Sequence, residues 1–118
     1  QATVPKLHVT RRKAYGFGSM VMAMIAYDRQ TATYAFPGAT LGAMGARASS
    51  EAMRADEDER SALRDAELQA SYSSAGRLGF DELIDPRETR DVLLGALDLA
   101  LSRRQAAPEP KARFGITP

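Results

Sequence analysis

The sequence predicts an α/β fold, and three observations carry that prediction. Short runs rich in β-branched and aromatic residues recur, notably Leu7–Thr10 and Thr31–Phe36. Between and after them lie segments with apolar residues at helical spacing, the clearest running from Asp85 to Arg104. The two kinds of segment alternate along the chain as strand, helix, two strands, helices, short strand and helix. The strands are too few and too short to make a self-sufficient sheet, so the chain is expected to be part of a larger domain.

Leu7–Thr10 is predicted as the first strand, ended by the charged triplet Arg11-Arg12-Lys13. Tyr15-Gly16-Phe17-Gly18 reads as a tight turn. Ser19 to Tyr27 reads as a Met- and Ala-rich helix, apolar nearly all round and therefore expected to be buried. Asp28-Arg29-Gln30 breaks it. Thr31–Phe36 is the next strand, punctuated by Pro37-Gly38, and Thr40–Met44 is a candidate short strand after it. Ala46–Met53 reads as a helix of small residues.

Ala55 to Gly76 is the longest helical candidate. Its Asp56-Glu57-Asp58-Glu59 run reads either as an acidic metal site or as a solvated helix start, where carboxylates favour the positive end of the dipole. The solvated start is the simpler reading. A turn and a short strand are expected around Phe80-Asp81-Glu82. The last helix has Asp85 as N-cap, Pro86 at the first helical position and Glu88 completing a capping-box-like pair. Val92, Leu93, Ala96, Leu97 and Ala100 mark its buried face. Arg103 and Arg104 suit its C-terminal end, and Ala106–Pro118 reads as an extended, Pro-containing tail.

Composition narrows the function. The 118 residues carry sixteen Lys and Arg against fifteen Asp and Glu, which points to neither nucleic acid nor an anionic membrane as partner. The absence of Cys rules out a disulfide framework, a thiolate zinc site and a cysteine nucleophile, and fits a reducing, cytoplasmic compartment. One histidine, His8, cannot build a histidine-rich metal site, so no metal is expected. The longest apolar run, Met20 to Tyr27, falls far short of the ~20 residues of a membrane span. The start, Gln1-Ala2-Thr3-Val4-Pro5, lacks Met and is expected to be internal to a longer protein.

Tyr15, Ser19 and His8 are the obvious reactive side chains near the turn, and a single His gives no Ser-His-Asp set. Backbone groups are the stronger candidates. Glycines let a ligand approach the backbone closely. The first N–H groups of a helix lack intrahelical partners and face outward at the positive end of the dipole. Such donors, aimed where negative charge develops, make an oxyanion hole. On local pattern alone, a tight strand-to-helix connection is the better reading of Gly16-Phe17-Gly18. It is not a dinucleotide fingerprint, because Val21 stands where the third glycine would fall.

Wider context changes that balance. Arg12-Lys13-Ala14-Tyr15-Gly16-Phe17-Gly18-Ser19-Met20-Val21-Met22 resembles the Arg-Lys-Ala-Tyr-Gly-Gly-Ala-Tyr-x-Val-Met segment of biotin-dependent acyl-CoA carboxylase β subunits, the carboxyltransferases. Tyr34-Ala35-Phe36-Pro37-Gly38-Ala39-Thr40-Leu41-Gly42-Ala43-Met44-Gly45-Ala46 is similar to that family's Tyr-Ala-Trp-Pro-Thr-Ala-x-Ile-Ala-Val-Met-Gly-Ala. Leu78-Gly79-Phe80 and Ile84-Asp85-Pro86-Arg87-Glu88-Thr89-Arg90 match its Arg-Gly-Tyr and Ile-Asp-Pro-x-Glu-Thr-Arg patterns. Lys111-Ala112-Arg113-Phe114-Gly115-Ile116-Thr117-Pro118 is similar to its C-terminus. The blocks occur in the family's order and span essentially the whole chain.

The resemblance implies a crotonase/ClpP-like ββα superhelix, with residues 1–118 forming the C-terminal portion of a carboxyltransferase C-domain and 106–118 its tail. It implies transfer of a carboxyl group from carboxybiotin, on a separate carrier, to the α-carbon of an acyl-CoA. In that scheme the Phe17 and Gly18 N–H groups hold the ureido oxygen of the biotin enolate. Gly16 permits the turn, and Tyr15, Ser19 and Met20 belong to the biotin and substrate pocket. Met20 reads equally as core packing of a Met-rich helix. Expected partners are a biotin carboxylase or biotin carrier subunit and further β subunits in a homo-hexamer. A decarboxylase or transcarboxylase subunit, or a non-catalytic assembly module, are the alternatives.

The sequence departs from the family where Gly-Gly-Ala becomes Gly-Phe-Gly, where Ser19 replaces Tyr and where Phe36 replaces Trp. A backbone donor survives any side chain except Pro. Glu51-Ala52-Met53-Arg54 is similar to the Glu-Ala-Met-Lys of biotin carriers, but Arg54 cannot be biotinylated.

Overall fold

The computed structural model describes residues 4–22 and 30–102, without the side chains of Met20 and Val21. Its elements follow a repeated order. β1 (Leu7–Thr10), β2 (Lys13–Tyr15) and α1 (Gly16–Val21) are followed by β3 (Ala32–Ala35), β4 (Thr40–Gly42) and α2 (Ala46–Met53). In each repeat the first strand joins one sheet and the second joins another. β1, β3 and β5 (Glu82–Leu83) form a parallel sheet with β3 in the middle, and β2 pairs in parallel with β4. Parallel neighbours require a crossover rather than a tight hairpin, and the helices lie in those crossovers.

The middle strand carries the core. All four residues of β3 are buried, as a strand covered on both faces should be. Its alternating side chains serve two clusters. Ala35 joins Ala39 and Phe80 on one side. Ala32 and Tyr34 join Ile84 on the other, where Leu7, Val9, Phe36 and three residues of α5 (Thr89–Ser102), Val92, Leu93 and Ala96, pack against them. The predicted apolar stripe of the last helix thus meets the sheet through its first half.

Polar contacts fix the far end of the sheet. Thr33 donates to Asp81 Oδ2 from its backbone N at 2.7 Å and from its hydroxyl at 3.0 Å, while the Asp81 N–H returns a bond to the Thr33 carbonyl at 2.9 Å. This clamp aligns β5 beside β3. The buried Ser71 hydroxyl donates to the Pro37 carbonyl at 2.6 Å and ties α4 (Ala70–Ala75) beneath the β3–β4 connection.

Several expectations are revised. The charged triplet does end β1 at Thr10, but its last residue, Lys13, opens a further strand, β2, that the sequence did not suggest. The 55–76 helix is two helices, α3 (Glu57–Leu68) and α4, joined at Gln69. The reciprocal capping box sits at Asp56 and Glu59, which exchange bonds of 2.9 and 3.1 Å. At Asp85 the side chain accepts from the Arg87 N–H at 2.8 Å and pairs with the Arg87 guanidinium, opening a 3₁₀ turn over Pro86–Glu88. The second half of the helix expected at Ser19–Tyr27, the pair Arg103-Arg104 and the tail 106–118 lie outside the described residues.

Candidate active-site groove

Gly16-Phe17-Gly18 is not a loop ahead of a helix. It is the first turn of α1, which begins directly at the end of β2. Gly16 makes that junction at φ +61°, a conformation that favours glycine. A Cβ there would also lie 3.2 Å from the Ala43 carbonyl oxygen. The Ser19 hydroxyl donates to the Gly16 carbonyl at 2.7 Å and braces the turn.

Phe17 is 81% exposed, and its ring shares no side of the groove described next. A Cβ built on Gly18 meets no atom within 4 Å, so the backbone here is open to approach. Gly18 and Ser19 face a groove of about 780 Å³ that is also lined by His8, Thr10, Met22 and Phe36. Arg11, Arg12 and Lys13 form its basic edge. The N–H groups of this first turn have no intrahelical acceptors.

His8 reaches the groove from β1. Its Nε2 lies 2.9 Å from the Thr10 hydroxyl. Burial lowers its pKa below the ordinary 6.5, opposed by a hydrogen bond to the Met22 backbone. Since His8 is bonded to Thr10 and Ser19 to the Gly16 carbonyl, the two do not form a nucleophile–base pair.

Tyr15 occupies the other side of the β2 end. Its hydroxyl is hydrogen-bonded to Thr40 Oγ1 at 2.8 Å and donates to Glu67 Oε1. Its pKa is raised, first by burial and then by the Glu67 bond. Tyr15 therefore borders the groove but commits its hydroxyl elsewhere. Thr40 and Glu67 are residues that sequence reasoning missed. Glu67 follows Tyr15 by 52 positions on a largely exposed acidic helix, so no local signal marks it.

The structure thus brings Tyr15, Gly16, Phe17, Gly18 and Ser19 to one junction, and places Gly18 and Ser19 on an open groove. The Met20 side chain lies outside the described residues. Comparison with known proteins gives this arrangement its context. A family model described as the carboxyl transferase domain matches residues 1–114. The chain belongs to the carboxyl transferase domain family.

Within this family, the chain is 35% identical over 123 residues to the methylmalonyl-CoA carboxyltransferase 12S subunit of Propionibacterium freudenreichii subsp. shermanii, covering 94% of the chain and 23% of the relative. It is 37% identical over 109 residues to the methylmalonyl-CoA decarboxylase subunit alpha of Veillonella parvula, covering 89% and 21%. The chain therefore spans less than a quarter of the length of either relative. A solved transcarboxylase 12S structure, a hexamer with methylmalonyl-coenzyme A and methylmalonic acid bound, matches with a TM-score of 0.75 and 33% identity over 96% of the chain and 23% of its own. The mixed α/β fold is accordingly part of the crotonase-like carboxyltransferase fold.

Proposed function

We propose that this chain forms the biotin-side part of a carboxyltransferase site acting on an acyl-CoA. The observation that carries this reading is the open approach to the Gly18 backbone from the groove. The open space beside Gly18 supports close approach of a ligand to the backbone there. An open groove with backbone donors at its wall is compatible with biotin, which supports this reading.

Carboxybiotin, when bound, supplies the carboxyl group and, after its release, a base for the α-proton of the acyl-CoA. The chain's own residues bind and orient. The Phe17 and Gly18 N–H groups donate to the ureido oxygen, whose negative charge grows as the carboxyl group leaves. Gly16 aims those donors by turning the chain straight from strand to helix. Ser19 holds the turn closed, and Met20 belongs to the same pocket. Preorganised donors of this kind contribute about 3–4 kcal/mol each to transition-state stabilisation. Thioester-side groups, the carrier and further copies of the subunit would complete the site, in line with the hexameric 12S relative.

The 37% identity to a decarboxylase subunit supports a second reading, in which the same turn serves transfer of the carboxyl group from methylmalonyl-CoA onto biotin. Both readings require the turn, whereas an assembly module does not. Replacing Gly18 by Pro in the full-length protein removes one donor. We expect carboxyl transfer to be lost with assembly intact. Wild-type turnover would leave the assembly role as the better account.

A further inference from the structure

Tyr15 is the last residue of β2, immediately before the Gly16 junction. Three segments converge on its side chain. Thr40 of β4 bonds to its hydroxyl at 2.8 Å, and Glu67 of α3 accepts from that hydroxyl. The same Glu67 oxygen lies 3.3 Å from the backbone N of Ala46, at the start of α2. Gly45 leaves room for this contact, since a Cβ there would lie 3.3 Å from Glu67 Oε1 and 3.5 Å from the Tyr15 ring. On the other side, the same 43–46 segment presents the Ala43 carbonyl to Gly16.

We propose that Glu67 is a positioning residue for the anion-binding turn, fixing through Tyr15 the strand end from which Gly16-Phe17-Gly18 departs. The proposal rests on the reading of that turn given above. A bond to a carboxylate is shorter, stronger and more directional than a neutral one. Glu67 accepts from both the strand end and the segment that touches Gly16, so it sets their separation. A strand of only three residues gives little alternative restraint. Donors that act by preorganisation lose effect when they move, and displacement by about 1 Å can cost about a hundredfold in rate.

The test uses the full-length protein, with Glu67→Ala, Glu67→Gln and Tyr15→Phe. Two readouts are needed: hydrogen exchange of the peptide covering 13–19, without ligand, and steady-state carboxyl transfer from methylmalonyl-CoA to free biotin. Glu67→Ala and Tyr15→Phe should raise exchange over 13–19 about tenfold and leave α5 unchanged. They should lower kcat about ten- to a hundredfold, with KM for methylmalonyl-CoA within twofold of wild type. Gln keeps an acceptor oxygen in place, so Glu67→Gln should restore exchange fully and kcat to within about fivefold. Unchanged exchange over 13–19 in Glu67→Ala and Tyr15→Phe would overturn the proposal, as would a loss of protection that extends equally to α5. Gly18→Pro in the same assay separates the two readings. If it abolishes transfer while the Glu67 and Tyr15 variants keep wild-type kcat, only the positioning role fails. If it turns over normally, the anion-binding turn itself fails.

Discussion

Tyr15 and Phe17 are aromatic residues two positions apart, on either side of the same glycine, and they have opposite roles. Tyr15 is half-buried, with its hydroxyl bonded to Thr40 and Glu67 and its ring against Gly45. The Phe17 ring stands in solvent. The first residue contributes its side chain, and the second has only its backbone N–H to offer. On the reading proposed above, a position can depart from its family in side chain and still keep its chemistry, because only its backbone N–H acts there.

Removing a donor should have the largest effect. Gly18→Pro is expected to lower turnover by roughly a hundred- to a thousandfold. Gly18→Ala keeps the N–H and should stay within about tenfold of wild type, since its Cβ enters open space. Equal losses in the two variants would mean that space at Gly18, rather than its N–H, matters. Next in size is Gly16→Ala. A left-handed φ costs an L-residue about 1–2 kcal/mol, and the Cβ must also press on Ala43 at 3.2 Å. Urea unfolding should show a loss of that order or slightly more. An unchanged midpoint would show that the junction relaxes freely.

A smaller effect should come from His8 at the groove wall. Its folded pKa lies below 6.5 because burial disfavours the charged ring. The unfolded chain then binds the proton more readily. Stability from this group is whole above pH ~6.5, and it falls as the pH drops below that value until the folded-state pKa is passed. Melting temperatures between pH 7.5 and 5 should therefore decline less in His8→Gln than in wild type. Parallel curves would contradict a pKa lowered by burial. The smallest effect is reserved for Phe17→Ala, expected within about 0.5 kcal/mol in stability and with turnover close to wild type. A large loss of turnover would mean that the exposed ring meets a substrate or a partner.

Much of the frame is legible in the residues. β1, β3 and α2 fall within a residue or two of their sequence-based bounds, and Asp85 caps its turn as its type predicts. β2 was not legible. Lys13-Ala14-Tyr15 has neither alternation nor β-branched residues, and it becomes a strand because Thr40–Gly42 offers it a parallel partner. Gly-Phe-Gly was recognisable as a glycine-rich junction between strand and helix. Its exact bounds were not, because a helix that starts on a left-handed glycine looks like a turn in one dimension. Leu78 illustrates the converse: the chain holds a non-glycine at φ +59° where local preference would choose otherwise.

By itself, the sequence determined some local pieces: β1, β3 and α2, the Asp85 cap, and the glycine-rich junction at 16–18. Those outcomes depend on residues within a few positions of one another. The tertiary structure alone decided that Gly18 opens on a groove, that Phe17 is turned away to solvent and that Glu67 holds Tyr15. The last of these depends on bonds between Tyr15 and residues 25 and 52 positions away. No local preference encodes such a pairing, because hydrogen bonds and packing act through space.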